Sequence, residues 1–257
     1  MKQTSIRCMI CMVSLLVAHT LAAQEKKKAE TAGNQKNITK DLICYYSFDK
    51  IQDDTIVPDD SGSGLNAEIV GDLPTDGLLV PGVFGSAIKF NADWKNMALK
   101  LPNDEKLDLG KHFTICFWMK PDAPSGVFEH IICKADDKPD SFTGYRLRYG
   151  WNMMAVILGI GDAKLQVQTG YVLRKGNWRH VAVTFNGKSL SIFVNGQLEK
   201  STENEGEPKY CAPNKLAHIA GAFTYPTLSR FSGLLDELRF YGRALSSDEI
   251  LTIMNME

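Results

Sequence analysis

Between Trp178 and Ser201 the chain reads WRHVAVTFNGKSLSIFVNGQLEKS, three strand-like runs joined by two Asn-Gly pairs, Asn186-Gly187 and Asn195-Gly196. Asn and Gly tolerate the positive φ angles that a type I′ turn requires at both central positions, and that turn has the twist that suits two antiparallel strands. The spacing therefore predicts a three-stranded meander. Val181, Val183 and Phe185 share one side of its first strand and mark the core face, because alternate residues of a strand point the same way.

The same pattern recurs along the chain. LICYYSF, AEIV, AIKF, MALKL, FTICFWMK, FEHIICK, YRLRY, MAVILGI, LQVQTG, LAHIAG and LLDELRFY are short runs rich in Val, Ile, Phe and Tyr, separated by Gly, Asn, Asp and Pro. With 257 residues, 44% of them hydrophobic, that many antiparallel strands in one flat sheet would leave a large apolar face in water. An all-β jelly-roll sandwich of two antiparallel sheets is expected. Trp118 and Trp178 lie in strand patterns and are read as core. Ser246-Ser247-Asp248-Glu249 ahead of Ile250, Leu251, Ile253 and Met254 predicts a short C-terminal helix with a capping box, Ser246 bonding the backbone of Glu249 and Glu249 reaching back.

The first 23 residues read as a signal peptide: Lys2 and Arg7, then an apolar run from Met9 to Ala18, then the small-residue stretch ending in Ala22-Ala23. Residues 24–39 form a polar tail without an apolar face, and residues 40–257 form the domain. A secreted, periplasmic or cell-surface location follows from that reading. Loss of Lys2 and Arg7 with no acidic residue takes the net charge from −1 to −3, which offers no footprint for nucleic acid. Cys44, Cys116, Cys133 and Cys211 remain; three of them sit in apolar runs where a thiol behaves as a small hydrophobe, and their pairing is left open.

YYSFD, DDSGSGLNAEIVG, PGVFGSAIKFN, FTICFWMKP, GNWRHVAVTFNGKSLSIFVNGQ and LLDELRFYGRALSSDEI, in that order, resemble the laminin G-like group of the concanavalin A-like lectin and glucanase superfamily. The resemblance implies a jelly roll, often with one calcium ion, and a role in binding carbohydrate or protein. It also implies that the loop after the first strand approaches the last strand, bringing Asp60 to Asp236.

Calcium takes six to eight oxygens, from carboxylates and from backbone carbonyls alike. The oxygen-rich loop Asp59–Asn66 and the carboxylates Asp49, Asp60 and Asp236 are the expected calcium site, with the ion supporting the fold. The competing reading of Asp-Ser-Gly is a turn in which Asp bonds nearby amides. Glu237, adjacent to Asp236 and so on the opposite face of a regular strand, is expected to pair at the surface with Arg239. Catalysis is not expected: a glycosidase needs two carboxylates facing one cleft, and the E-x-D-x-x-E pattern of the superfamily's glucanases does not occur.

A sugar site combines aromatic faces with planar polar groups. Arg146, Arg148 and Trp151 in YRLRYGWN, with Trp94 and Tyr225 from loops, are the candidate ligand residues. These features point to a non-catalytic lectin-like module whose partner is a glycan or polysaccharide. The alternative is a module that presents its surface to another exported or cell-surface protein.

Overall fold

The computed structural model describes residues 38–71, 77–91, 97–122, 126–138, 141–161, 163–204, 206–211, 217–220 and 230–256. Asp41–Glu257 form one compact unit. Its strands in chain order are β1 (Leu42–Tyr46), β2 (Ile56–Val57), β3 (Ala67–Val70), β4 (Leu79–Pro81), β5 (Ser86–Phe90), β6 (Ala98–Lys100), β7 (Phe113–Pro121), β8 (Glu129–Lys138), β9 (Ser141–Gly150), β10 (Met153–Ile160), β11 (Ala163–Gln168), β12 (Arg179–Phe185), β13 (Ser189–Val194), β14 (Gln197–Glu203), β15 (His218–Ile219) and β16 (Gly233–Tyr241). The helix α1 (Ser247–Met254) closes them. No helix among the described residues is long and apolar enough to cross a membrane.

The strands make two antiparallel sheets. The first runs β14-β13-β12-β7-β16-β5-β4, with β1 also on β16; the second runs β11-β10-β9-β8-β15-β6-β3-β2. Alternation builds the space between them. Phe113, Ile115, Phe117 and Met119 of β7 meet Val181, Val183 and Phe185 of β12 on one side, and Tyr145, Leu147 and Tyr149 of β9 with Met154, Val156 and Leu158 of β10 supply the other. Each fully buried aliphatic or Phe side chain contributes about 1.5–3 kcal/mol, so this layer dominates stability. Trp118 does not belong to it. It has the parity of Thr114 and Cys116, so it lies half-buried on the outer face of the first sheet, edge-on to His180 at 5.4 Å. Trp178, just before β12, is also only half-buried.

The meander β12-β13-β14 forms as its spacing predicts. Its two turns differ, however. Asn195 and Gly196 both have positive φ, as type I′ requires, whereas at Asn186-Gly187 only the glycine does. There the Asn186 side chain accepts hydrogen bonds from the Lys188 and Ser189 amides, and a three-residue loop replaces the two-residue turn. The β9–β10 hairpin carries a type I′ turn that has no glycine, with Trp151 at φ 51° and Asn152 at φ 61°.

The capping box of α1 is present in both directions, and Ile250 and Ile253 are buried. All four cysteines of the domain are free, buried thiols. Burial raises the thiol pKa of each, that of Cys116 to about 12.

Candidate functional site: an acidic corner and a basic face

The acidic residues gather at one corner of the first sheet. Between Asp236 and Arg239 the register of β16 against β7 slips, and Glu237 takes φ 56°, a bulge in an otherwise regular strand. Leu235 and Leu238, three residues apart, both enter the core, so the alternation that would separate Asp236 from Glu237 fails at this point. Glu237 is buried rather than at the surface. Tyr45 Oη donates to its carboxylate at 2.9 Å, Arg239 forms an ion pair with it, and the Arg239 guanidinium lies 4.0 Å from the centre of the Tyr45 ring. Its partner is the expected one, in a different setting.

Asp236 is fully buried. Its Oδ2 accepts from the amides of Val83 at 2.7 Å and Phe84 at 3.2 Å, in the turn between β4 and β5, while its Oδ1 has no hydrogen-bond partner among the described residues. Burial pushes its pKa up to about 7 against those two amides, with the nearby Glu237 charge adding to the rise. Asp49 holds the other end of the same turn, its Oδ1 accepting from the Ser86 amide at 2.7 Å. Gly82 and Gly85 are required there, because a Cβ at Gly82 would strike Asp236 Oδ2 and one at Gly85 would strike Asp49 Oδ1.

Asp60 accepts from Ser47 Oγ at 2.7 Å and lies 3.8 Å from Lys50 Nζ. Asp59 forms the hydrogen-bonded turn of the competing reading, accepting from the amides of Tyr45, Ser61 and Leu65. Burial opposes its ionisation, yet these bonds and that of the Ser61 side chain hold its pKa below the usual carboxylate value. Among the described residues, no three His, Cys, Asp or Glu side chains converge as a metal cluster. Asp49 and Asp236 thus share one turn, and Ser47 Oγ, which donates to Asp60 and accepts from the Asp49 amide, links Asp60 to Asp49.

The basic residues occupy the outer face of the second sheet. Tyr145, Leu147 and Tyr149 turn inward, so Arg146 and Arg148 turn outward, beside Cys133 and His130 of β8 and Ile157 and Ala155 of β10. Arg146 is held rigidly: Nη1 donates to Asp137 Oδ2 at 2.9 Å, and the guanidinium sits 5.2 Å from the centre of the Phe142 ring. Lys164 Nζ shares the same carboxylate at 3.1 Å. Cys133, Ala135, Phe142 and Ile157 form a small apolar cluster beside them.

Arg148 is different. Its guanidinium lies 4.7 Å from the centre of the Phe128 ring, and Phe128 meets Trp151 edge-on at 4.9 Å, but among the described residues Arg148 finds no ion pair, and its buried Nε has no hydrogen-bond partner. Burial and then the Arg146 charge lower its pKa, against a smaller opposing effect of the Asp137 carboxylate, which forms its ion pairs with Arg146 and Lys164. His130 is 1% exposed with an unpartnered Nδ1, and burial together with Arg146 and Arg148 takes its pKa down to about 3, keeping it neutral. Trp151 is 42% exposed and left-handed at the hairpin tip, a costly conformation for a large side chain. Of the five candidate ligand residues, Arg146, Arg148 and Trp151 therefore come together; Trp94 and Tyr225 lie outside the described residues.

Residues 93–251, more than half the chain, match the family model of the concanavalin A-like lectin/glucanases superfamily. The chain belongs to this superfamily. No curated protein matches it in sequence. Among solved structures, domain 4 of the extracellular arabinanase AbnA from Geobacillus stearothermophilus, in complex with arabinotriose, superposes with TM-score 0.62 at 20% identity, covering 83% of this chain and 98% of that domain. The binding domain of Paraclostridial Mosquitocidal Protein 1 superposes with TM-score 0.60 at 17% identity, covering 85% of this chain. The binding domain of botulinum neurotoxin DC in complex with SialylT gives TM-score 0.62 at 14% identity, also over 85% of this chain. This chain spans about half the length of those two toxin domains, 52% of each. At such identities the likeness is one of fold.

In this superfamily member, sequence reasoning passes over several residues of the basic region. His130 hides in an apolar run, HIICK, and Phe128 looks like any strand residue. A pocket of about 500 Å³ at the end of the sandwich is lined by Asn152, Tyr171, Arg174 and Lys175. Tyr171 is 72% exposed, and the backbone oxygen of Asn152 accepts from the Leu173 amide, tying this loop to the hairpin tip. The signal that could have found it is the composition of the loop, an aromatic followed by two basic residues, in a stretch without strand pattern.

Proposed function

We propose that the domain is a non-catalytic carbohydrate-binding module that binds sugar on the outer face of the second sheet. One observation carries the reading: Arg148, Phe128 and Trp151 form a contiguous line in which planar donors adjoin an exposed ring, and Arg148 has a buried Nε with no partner among the described residues. Sugars stack their apolar faces on aromatic rings and offer hydroxyls to planar donors, so such a line suits them. A half-exposed, conformationally costly Trp151 has no role in the core, which favours a role in binding. The arabinotriose complex of the arabinanase domain and the SialylT complex of the toxin domain support the same class of ligand.

A glycosidase reading finds less support. Glu237 is neutralised by Arg239 and Tyr45, and Asp236 is spent on backbone amides, so neither is free as nucleophile or acid. The buried, unpartnered Oδ1 of Asp236 supports a calcium ion at the acidic corner; Asp49, Asp60 and Asp236 would hold it, and the ion would supply charge neutralisation that secures the β4–β5 turn. Residues 1–23 are read as the signal peptide of an exported protein.

A glycan array probed with the purified protein, in calcium and again in chelator, tests the proposal. Binding to a related set of glycans that Trp151→Ala abolishes, with melting temperature unchanged, is the expected result. A blank array from folded protein would overturn the carbohydrate reading and favour an exported protein as partner.

A further inference from the structure

Asp137 is the carboxylate that answers the cations of the basic face, and it is already shared by Arg146 and Lys164. Arg148 stands on the same side of β9, two residues from Arg146, or about 7 Å along the strand. It is half-buried, pressed on Phe128, and paired with no carboxylate among the described residues. His130, directly across the β8–β9 ladder, is neutral and supplies no negative charge, only an unpartnered ring nitrogen.

Holding an unpaired guanidinium beside another costs free energy unless something outside the fold offsets it. A neutral sugar hydroxyl answers an Arg donor weakly. A carboxylate or sulfate answers both its charge and its planar fork.

Resting on the carbohydrate-binding reading, we propose that this face is selective for acidic glycans: the Arg148 guanidinium receives a carboxylate or sulfate of the sugar, and Trp151 stacks against the same or the adjacent ring. Arg146 is a positioning residue. It is fixed by Asp137 and Phe142, and it sets the positive potential without needing to release its own partner.

The experiment is a calorimetric titration of the purified protein with three probes: an oligogalacturonate, the same oligomer fully methyl-esterified, and a heparin-derived oligosaccharide. Esterification removes the charge and leaves the sugar ring. The acid is expected to bind at least about tenfold more tightly than the ester, the range expected when a hydrogen bond to a charged group is lost, and to weaken as salt rises. Arg148→Met should erase that preference, so that acid and ester then bind alike. Arg148→Lys should restore part of it, because lysine keeps the charge without the fork.

Tight binding of the oligogalacturonate identifies a carboxylate sugar as the ligand, and tight binding of the heparin oligosaccharide alone identifies a sulfated one. The comparison of acid with ester uses the unaltered protein, so its outcome does not depend on how a variant folds. Equal affinity for acid and ester, or binding of the ester with no binding of either acid, would overturn the acidic preference and leave the module reading standing. Failure of every acidic and neutral oligosaccharide to bind the folded protein would overturn both.

Discussion

The acidic corner and the basic face bury charge in opposite ways. At the corner nearly every charged or polar group finds its partner within the chain: Glu237 with Arg239 and Tyr45, Asp49 with the Ser86 amide, Asp59 with three amides. On the basic face Arg146 is paired with Asp137, yet Arg148 and His130 keep buried nitrogens unpartnered beside an exposed tryptophan. Most buried polar groups in a fold are paired. On the proposed reading, the corner is a device that fixes strand ends, and the face is a surface whose partner comes from outside.

Breaking the corner should cost the most. Arg239→Ala strands Glu237 in a buried position, and the loss of one partner of a buried pair costs about 3–5 kcal/mol. The melting temperature is expected to fall by about 10 °C, at roughly 2–4 °C per kcal/mol for a domain of this size, as measured by thermal denaturation.

On the face, Trp151→Ala should instead leave the melting temperature nearly unchanged and reduce glycan affinity about tenfold or more, as exposed aromatic anchors do. A large loss of stability would mean that Trp151 belongs to the fold, and the contrast between the two regions would collapse.

The one unsatisfied atom of the corner gives a pH signature. The pKa of Asp236 is raised from 3.8 to about 7, so its protonated form is favoured by folding. Stability from this group is fully present below the unfolded value and is lost as pH rises from about 4 through about 7. In chelator, melting curves should therefore decline across that window, and Asp236→Asn should flatten the decline. If calcium occupies Oδ1, adding it should remove the decline in the unaltered protein and do nothing in Asp236→Asn. The smallest effect is expected at Lys164→Ala, an exposed pair with Asp137 worth at most about 1 kcal/mol, because Arg146 still holds that carboxylate.

Most of the fold is legible in the sequence, because alternation and turn chemistry are local. Phe113, Ile115, Phe117 and Met119 declare the core side of β7, and the same alternation, applied strictly, places Trp118 outside. What escapes is what alternation cannot encode. The bulge at Glu237 rests on a non-glycine residue with positive φ and has no sequence signal, so a regular strand would put the two adjacent carboxylates on opposite faces. The second bulge, between His130 and Ile132, turns an apolar-looking run into a strand that presents a histidine outward. For the site, Arg146, Arg148 and Trp151 are legible from one strand and its turn. Phe128, Tyr171, Arg174 and Lys175 come from segments whose proximity only the tertiary structure sets.

The most direct test of a ligand-bearing basic face is an NMR titration of the labelled protein with a pool of acidic oligosaccharides, following the tryptophan indole and arginine Nε–H signals. Trp118, on the opposite sheet, is an internal control. The account predicts that the Trp151 indole and the Arg148 Nε–H shift with ligand while Trp118 stays in place. Shifts confined to Trp118 and the first sheet, with Trp151 and Arg148 unmoved, would contradict it.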